Sequence, residues 1–158
     1  KEDSWFLKDL KIQLIGKVAD EVDASIAKYQ IKKVIKIDYV PHHEVKLYQE
    51  KSQILLLAIN NVKSAKGIIT GKIFEYLQAK RPILAIGPED GDLAEILKET
   101  NAGCIVGFND EEKLKRTILK YYKEYKEGNL LVNSKNIAKY HRKELTRELS
   151  EIINDTVR

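Results

Sequence analysis

The segment that decides the fold is QILLLAINNVKSAKGIITGKIFEYLQAKRPILAIG (53–87). Residues 53–59 form a continuous apolar run, which is typical of a parallel strand whose two faces are both covered. Residues 70–79 carry apolar side chains at helical spacing, and a second apolar run occupies residues 81–87. A strand, a crossover helix and a second strand in this order predict a β-α-β unit with parallel strands.

Strand and helix patterns also alternate on both sides of this unit. The predicted strands are 10–16, 33–40, 53–59, 81–87 and 104–108, and the predicted helices are 20–30, 42–50, 70–79, 92–100 and 110–125, with one or two closing helices after residue 129. This alternation predicts an α/β, Rossmann-like parallel sheet with helices on both faces, in one domain spanning residues 1–158. In such sheets ligands bind beyond the carboxyl ends of the strands, so the loops that follow the strands are the places to search.

Several residues mark the expected ends of helices. Asp20 stands where an N-cap side chain is expected, and Asp92 with Glu95 three positions later forms a variant of the capping box. Gly103 follows the predicted helix at 92–100 and suits a C-terminal cap. We therefore expect Asp20 and Asp92 to cap helix amides and Gly103 to end a helix.

The composition is that of a globular protein, since 43% of the 158 residues are hydrophobic and 33% are charged. No apolar run approaches the roughly 20 residues that a membrane-spanning helix needs, and the N-terminal segment lacks the apolar stretch of a signal peptide. The net charge of +4 comes from Lys residues that are spread along the chain among Glu residues. Because this pattern is typical of a solvated surface, we expect no nucleic-acid partner and no membrane span.

The single cysteine, Cys104, cannot form an internal disulfide, which suits a reducing cytoplasm. Its neighbours in GCIVG (103–107) predict a strand in which the thiol packs as a small apolar group rather than acting as a nucleophile. The chain contains no Met and reaches its first strand after a short lead-in. We therefore expect a cytoplasmic domain taken from a longer protein, with any membrane association carried by the absent part.

The segment GIITGK (67–72) begins like a phosphate-binding loop. The loop of nucleoside triphosphatases needs four residues between its first Gly and the Gly-Lys pair, followed by a Ser or Thr that binds magnesium. Here three residues separate Gly67 from Gly71, and Ile73 follows Lys72. Both requirements fail, so a triphosphate loop is excluded.

A more general phosphate site remains at the same place. Thr70, Gly71 and Lys72 lie at a predicted helix N-terminus, where unpaired backbone amides and the helix dipole attract anions. Glycine lets a ligand approach the backbone closely, and Lys72 adds a charge-assisted contact. Glu75, one turn further, offers a carboxylate that accepts hydrogen bonds from two neighbouring hydroxyls, such as those of ribose. An ordinary helix with an acidic first turn fits these residues equally well.

The other polar clusters favour neither a metal site nor a catalytic site. His42 and His43 are adjacent and would point in different directions from a helix, and no Cys or paired acid stands at ligand spacing, so we expect no metal ion. Glu89, Asp90 and Asp92 suit loop and cap positions better than a general acid-base pair. The sequence shows no Ser-His-Asp arrangement, and no G-x-G-x-x-G fingerprint follows the first strand.

Four segments together resemble one known arrangement. They are YVPHHEVKLYQEKSQILLLAI (39–59), GKIFEYLQAKRPILAIG (71–87), LAEILKETNAGCIVGF (93–108) and YHRKELTRELSEII (140–153). In order and spacing they are similar to the C-terminal, nucleotide-sugar-binding domain of GT-B glycosyltransferases, especially the retaining group that builds surface polysaccharides. The resemblance covers nearly the whole chain and implies one half of a GT-B fold.

The resemblance also implies a role for each candidate residue. Glu75 would accept hydrogen bonds from the ribose hydroxyls. The diphosphate would be bound by Gly16, Lys17, Thr70, Gly71 and Lys72, and the base would lie along Val40, Pro41 and His42. Members of this family generally need no metal ion or other cofactor, and their ligand is a nucleoside-diphosphate sugar.

Two positions depart from the pattern of the family. A second Glu often stands eight positions before the ribose-binding Glu, close to the donor sugar, but this chain has Gly67 there. Lys80 occupies a position that is usually Gly, so we expect a strained or altered turn at Lys80.

The expected function is therefore donor binding in a glycosyltransferase that moves a glycosyl group from a UDP- or GDP-sugar to a hydroxyl acceptor. The N-terminal half, which binds the acceptor in this family, is absent, so the isolated domain is expected to be inactive. Half of a nucleotide-sugar epimerase is one alternative, although its acids and bases are not found here. A non-catalytic Rossmann-like scaffold or interaction module is the other, and a receiver module is disfavoured because Asn60 and Asn61 replace the Asp that it needs.

Overall fold

A computed structural model of the chain describes the backbone of residues 2–157 and the side chains of residues 5–157. The elements in this range are α1 (Glu2–Asp9), β1 (Ile12–Ile15), α2 (Asp20–Lys28), β2 (Val34–Ile37), α3 (His42–Lys51), β3 (Leu55–Ala58), α4 (Lys72–Ala79), β4 (Ile83–Ile86), α5 (Asp92–Thr100), β5 (Gly103–Val106), α6 (Glu111–Lys126) and α7 (Arg142–Thr156). Two 3₁₀ turns occupy Ala65–Gly67 and Ile137–Tyr140. Every predicted strand and helix is confirmed.

Helix α1 was not predicted from the sequence, because its residues lack an apolar face at helical spacing. Its large apolar side chains Trp5 and Leu7 are 58% and 66% exposed. An amphipathic pattern identifies a helix from the face that it buries, and none of the described side chains of α1, residues 5–9, is buried.

The strands form two parallel sheets, which confirms the predicted α/β, Rossmann-like fold class. One sheet contains β1 and β2, and the other has the order β3-β4-β5. The chain divides into two compact units between β2 and β3, namely residues 1–48 and residues 49–158. Each unit therefore has its own sheet, and helices flank the strands in both.

The first unit is small and thinly packed. Strands β1 and β2 pair from Ile12 opposite Val34 to Ile15 opposite Ile37. No side chain between residues 5 and 48 is fully buried. Because stability grows with the apolar area removed from water, this two-stranded sheet contributes little hydrophobic stabilisation of its own.

The second unit contains the hydrophobic core, and β4 is its central strand. Ile83 and Ala85 are fully buried, since β4 is covered by neighbours on both edges and both faces. Helix α4 packs Ile73 and Leu77 into this core, and α5 adds Leu97. Ile73 and Leu77 are four positions apart in α4, as are Leu93 and Leu97 in α5, and this spacing brings side chains onto one helical face.

The helix ends differ from the expected caps. The residue before α2 is Ala19 and the residue before α5 is Gly91, and neither helix receives a side-chain cap. Asp20 and Asp92 are instead the first residues of their helices, where a carboxylate interacts favourably with the helix dipole. The expectation that these two side chains cap helix amides is therefore wrong.

Gly103 is also not a helix cap. Asn101 ends α5 in the left-handed region with φ of 49°, and Gly103 begins β5. A Cβ atom at Gly103 would lie 1.9 Å from the carbonyl oxygen of Ile83, so glycine is required there because β4 and β5 approach each other closely. Asn tolerates the left-handed region better than most residues, which explains why the cap falls two positions earlier.

Glu99 fastens the segment before α7 to the core. Its carboxylate accepts hydrogen bonds from the Tyr140 hydroxyl at 2.6 Å and from the Lys139 ammonium at 2.9 Å. The Tyr140 ring lies 6.2 Å, centroid to centroid, from the ring of Phe74 on α4. The hydrogen bond from Tyr140 and then the one from Lys139 lower the pKa of Glu99, while burial and Glu99 raise the pKa of Tyr140 to about 12.

The low pKa of Glu99 predicts an acid-dependent contribution to stability. An ionised Glu99 stabilises the folded chain above its ordinary pKa of 4.5, and this stabilisation is lost as the pH falls through the lower folded-state pKa. We expect Glu99→Gln to reduce the free energy of unfolding near neutral pH, with a difference from wild type that shrinks below about pH 4.5. Urea unfolding across a pH series measures this. Tyr140→Phe, which keeps the ring, should show the same trend, and a difference independent of pH would rule the explanation out.

Lys80 confirms the expected strain at the turn between α4 and β4. It ends α4 in the left-handed region with φ of 53°, a conformation that disfavours a side chain. We expect Lys80→Gly to raise the free energy of unfolding by about 1 kcal/mol in urea denaturation. Asn101→Gly is the matched control, because Asn tolerates this conformation and its side chain donates to the Asn133 carbonyl at 3.0 Å. That variant should gain nothing, and equal gains in both variants would contradict the prediction.

Candidate functional site

The loops that follow β3 and β4 meet at one edge of the three-stranded sheet. Ala58 and Ile86 are paired at the carboxyl ends of these parallel strands, so both chains leave the sheet on the same side. At Gly91, a Cβ atom would lie 2.7 Å from the carbonyl oxygen of Lys66, which shows how closely the two loops pack. The Lys66 ammonium also pairs with the Asp90 carboxylate. Helix α4 begins from the first of these loops, at the edge where ligands bind in sheets of this kind.

The N-terminus of α4 has the features expected of an anion site. Gly71 precedes the helix with φ of −57°, and a Cβ atom at this position would meet nothing within 4 Å. The first backbone hydrogen bonds are donated by Ile73 to the Thr70 carbonyl and by Phe74 to the Gly71 carbonyl. The amides of Gly71 and Lys72 precede these bonds, so they lie at the positive end of the helix dipole.

The side chains of Thr70 and Lys72 differ in their surroundings. The Thr70 hydroxyl oxygen is buried and has no hydrogen-bond partner within the described part of the chain. A buried hydroxyl usually has a partner, so this oxygen has unused hydrogen-bonding capacity beside the helix N-terminus. The Lys72 side chain is exposed and makes no ion pair with any described carboxylate. Its ammonium group is therefore available to an anion from solvent.

Glu75 lies one turn into α4, three positions after Lys72 and so on the same side of the helix. Its side chain is half-buried, and its Oε2 atom accepts a hydrogen bond of 3.0 Å from Nε2 of Gln49. Burial and then the charge of Glu75 raise the pKa of the neighbouring Tyr76. Glu75 is thus a fixed acceptor rather than a freely rotating surface carboxylate.

The remaining predicted residues belong to the first unit. Gly16 directly follows β1 with φ of 88°, and its amide donates to the Ile37 carbonyl at the end of β2. Lys17 follows and is exposed. The segment from Val40 to His42 joins β2 to α3, whose first turn is closed by amides bonded to the Pro41 carbonyl. Because β1 and β2 are parallel, both groups of residues lie at the carboxyl edge of their own sheet.

The structure thus groups the predicted residues into two sets. Thr70, Gly71, Lys72 and Glu75 share the first turn of α4 and the residues just before it, and they belong to the unit of residues 49–158. Gly16, Lys17, Val40, Pro41 and His42 share the edge of the β1-β2 sheet in the unit of residues 1–48.

Sequence patterns missed the contacts that hold these loops and side chains. Gln49 lies in a polar helix, and only its burial in the folded chain identifies it. The loop acids Glu89 and Asp90 each form an ion pair that the sequence did not predict, Glu89 with Lys113 and Asp90 with Lys66. The hydrogen bond from Lys66 is the main reason that the pKa of Asp90 is lowered.

A cleft of about 370 Å³ lies near the amino ends of β4 and β5. Cys104 lines it, and the Tyr121 hydroxyl is 3.5 Å from the Cys104 sulfur. Burial and then the contact with Cys104 raise the pKa of Tyr121.

Among residues 5–157, no group of three His, Cys, Asp or Glu side chains is arranged to hold a metal ion. Within the described chain, no helix is both long enough and apolar enough to cross a membrane.

Comparisons with known protein families, with curated proteins and with solved structures find no match to this chain.

The close contact at Gly91 predicts that substitution by Ala changes the free energy of unfolding very differently at two glycines of the second unit, Gly91 and Gly107. Gly91→Ala places a methyl group against the backbone of Lys66, so we expect a loss of about 1–3 kcal/mol of stability. Gly107→Ala is the matched control, because a methyl group at Gly107 meets nothing within 4 Å and should leave stability unchanged or slightly higher. Chemical denaturation measures both, and equal stabilities for the two variants would disprove the close approach of the loops.

Proposed function

We propose that this chain is the nucleotide-sugar donor-binding domain of a glycosyltransferase, one half of a GT-B fold, acting in surface polysaccharide synthesis. The observation that carries this proposal is the arrangement at the start of α4. An open Gly71 and an unpaired Lys72 lie at a helix N-terminus, and Glu75 follows one turn later on the same side. The ligand class that this arrangement fits is a diphosphate joined to a ribose.

The diphosphate is bound by the N-terminus of α4. The amides of Gly71 and Lys72 donate to phosphate oxygens, and the absence of a side chain at Gly71 lets the phosphate reach the backbone. The Lys72 ammonium adds a charge-assisted hydrogen bond. The buried hydroxyl of Thr70 supplies a further donor beside them.

Glu75 accepts hydrogen bonds from the ribose. An ionised carboxylate is only an acceptor, so it pairs with hydroxyl groups and repels phosphates. The sign of the charge therefore separates the two ends of the ligand, with Lys72 beside the diphosphate and Glu75 beside the sugar of the nucleoside.

The reaction transfers the glycosyl group to an acceptor hydroxyl. The bond between the anomeric carbon and the diphosphate oxygen breaks with its electron pair remaining on the diphosphate, a bond between that carbon and the acceptor oxygen forms, and the proton of the acceptor hydroxyl is released to water. Negative charge grows on the departing diphosphate, where the end of α4 and Lys72 stabilise it. The acceptor and further catalytic groups belong to an N-terminal half, so residues 1–158 bind the donor without transferring it, and they use no metal ion or other cofactor.

Nucleotide titration followed by NMR tests this function. We expect UDP or GDP to shift the amide resonances of residues 70–75 in a saturable manner. Gly71→Ala and Lys72→Met should each weaken the binding of UDP and of inorganic diphosphate by roughly tenfold, because both ligands carry the phosphates. Glu75→Gln should weaken the binding of UDP but not that of inorganic diphosphate, because inorganic diphosphate has no ribose.

Lys98→Met is the matched control, because Lys98 is an exposed lysine in the last turn of α5. It should bind both ligands as wild type does. If saturating UDP and GDP leave residues 70–75 unshifted, or if Lys72→Met and Lys98→Met behave alike, the donor-binding function is abandoned in favour of a scaffold or interaction module.

A further inference from the structure

Gln49 is an unusual residue in the second unit because it is polar and buried. Two polar residues of the described chain are buried, Gln49 with 9% of its surface exposed and Thr100 with none. Thr100 is satisfied locally, since its hydroxyl donates to the Ile96 carbonyl one turn earlier in α5. The Gln49 amide instead donates to Glu75, which lies on another helix and 26 positions away in the sequence.

The position of Gln49 does not depend on that hydrogen bond alone. The next residue, Glu50, accepts a hydrogen bond of 2.6 Å at its carbonyl oxygen from Nε of Arg81, which lies in the turn after α4. Arg81 therefore fastens the end of α3 to the far end of α4. Because the backbone is held there, the amide of Gln49 reaches the Glu75 carboxylate from a fixed place.

We infer that Gln49 is a positioning residue for Glu75 and thereby sets a preference for ribose over 2′-deoxyribose in the bound nucleotide. This inference rests on the proposed donor-binding function. A carboxylate oxygen offers two acceptor sites, so the bond to Gln49 leaves Glu75 able to accept hydrogen bonds from the ribose. The same bond restricts the rotation of the carboxylate, and alignment with two adjacent hydroxyls depends on that rotation.

Loss of the hydrogen bond from Gln49 should affect the binding of ribonucleotides and of 2′-deoxyribonucleotides differently. A Glu75 carboxylate that has lost the bond from Gln49 still attracts hydroxyl groups, but it is less restricted and makes the paired hydrogen bonds to a diol less often. Loss of the Gln49 amide should therefore weaken the binding of a ribonucleotide more than that of its 2′-deoxy analogue. A residue that served only to pack α3 against α4 would affect both ligands equally.

The experiment compares UDP with 2′-deoxy-UDP on the whole chain by NMR titration. We expect wild type to favour UDP by roughly tenfold, and we expect Gln49→Met, which keeps the volume and removes both hydrogen-bonding groups, to lose most of that preference. Gln78→Met is the matched control, because Gln78 is exposed on α4 and should retain the wild-type preference. Urea unfolding of both variants reports on the fold.

A second variant removes the donor in a different way. Gln49→Glu keeps the length of the side chain but replaces the amide donor with a carboxylate, which accepts hydrogen bonds when ionised. At neutral pH the preference for UDP should therefore be lost in this variant, as it is in Gln49→Met.

The outcomes separate this inference from the proposed function. If Glu75→Gln abolishes the preference for UDP while Gln49→Met and Gln49→Glu retain it, the inference is overturned and the donor-binding function stands. If Gln49→Met weakens both ligands by the same factor, Gln49 has only a packing role and the inference is again overturned. If wild type binds UDP and 2′-deoxy-UDP with equal affinity and Glu75→Gln changes neither affinity, the ribose-binding role of Glu75 is contradicted together with the inference.

Discussion

The burial of β4 on both faces and along both edges is the constraint on which the second unit depends. Parallel strands cannot be joined by tight turns, so each connection must cross over the sheet and return to the same end. The crossover from β3 to β4 carries α4, whose Ile73 and Leu77 cover the strand. Once that face is covered, the start of α4 necessarily lies at the carboxyl edge of the sheet. The packing of an apolar strand thus determines where Gly71 and Glu75 are presented.

Much of this fold was predictable because its signals are local. Continuous apolar runs identified β3 and β4, and the spacing of apolar residues identified α4, α5 and α6 within a few positions of their observed ends. The predictions were wrong where the role of a residue depends on a contact with a residue distant in the sequence. Gly103 was taken for a helix cap because glycine suits that role, but the approach of Ile83 from the adjacent strand is what requires it.

The same division applies to the candidate site. Thr70, Gly71, Lys72 and Glu75 lie within six positions of one another, so a helical pattern was sufficient to group them. Gln49 could not be found in that way, since its hydrogen bond to Glu75 joins two helices and depends on burial that no local pattern reports. The ion pairs of Lys66 and Lys113 with the loop acids were missed for the same reason, because each joins residues 24 positions apart.

Helix α4 contributes residues both to the core and to the candidate site. One face of the helix is buried in the core, and the other carries the candidate site residues. Ile73 and Leu77 are buried, whereas Lys72 and Glu75 lie at the exposed and half-buried side. Because residues of the two kinds alternate along eight positions, a shift of α4 along its axis would move the candidate site residues as well. The contacts of this helix, namely Phe74 with Tyr140 and Gln49 with Glu75, therefore help to determine where Lys72 and Glu75 lie. The packing of the core and the geometry of the candidate site thus depend on the placement of the same helix.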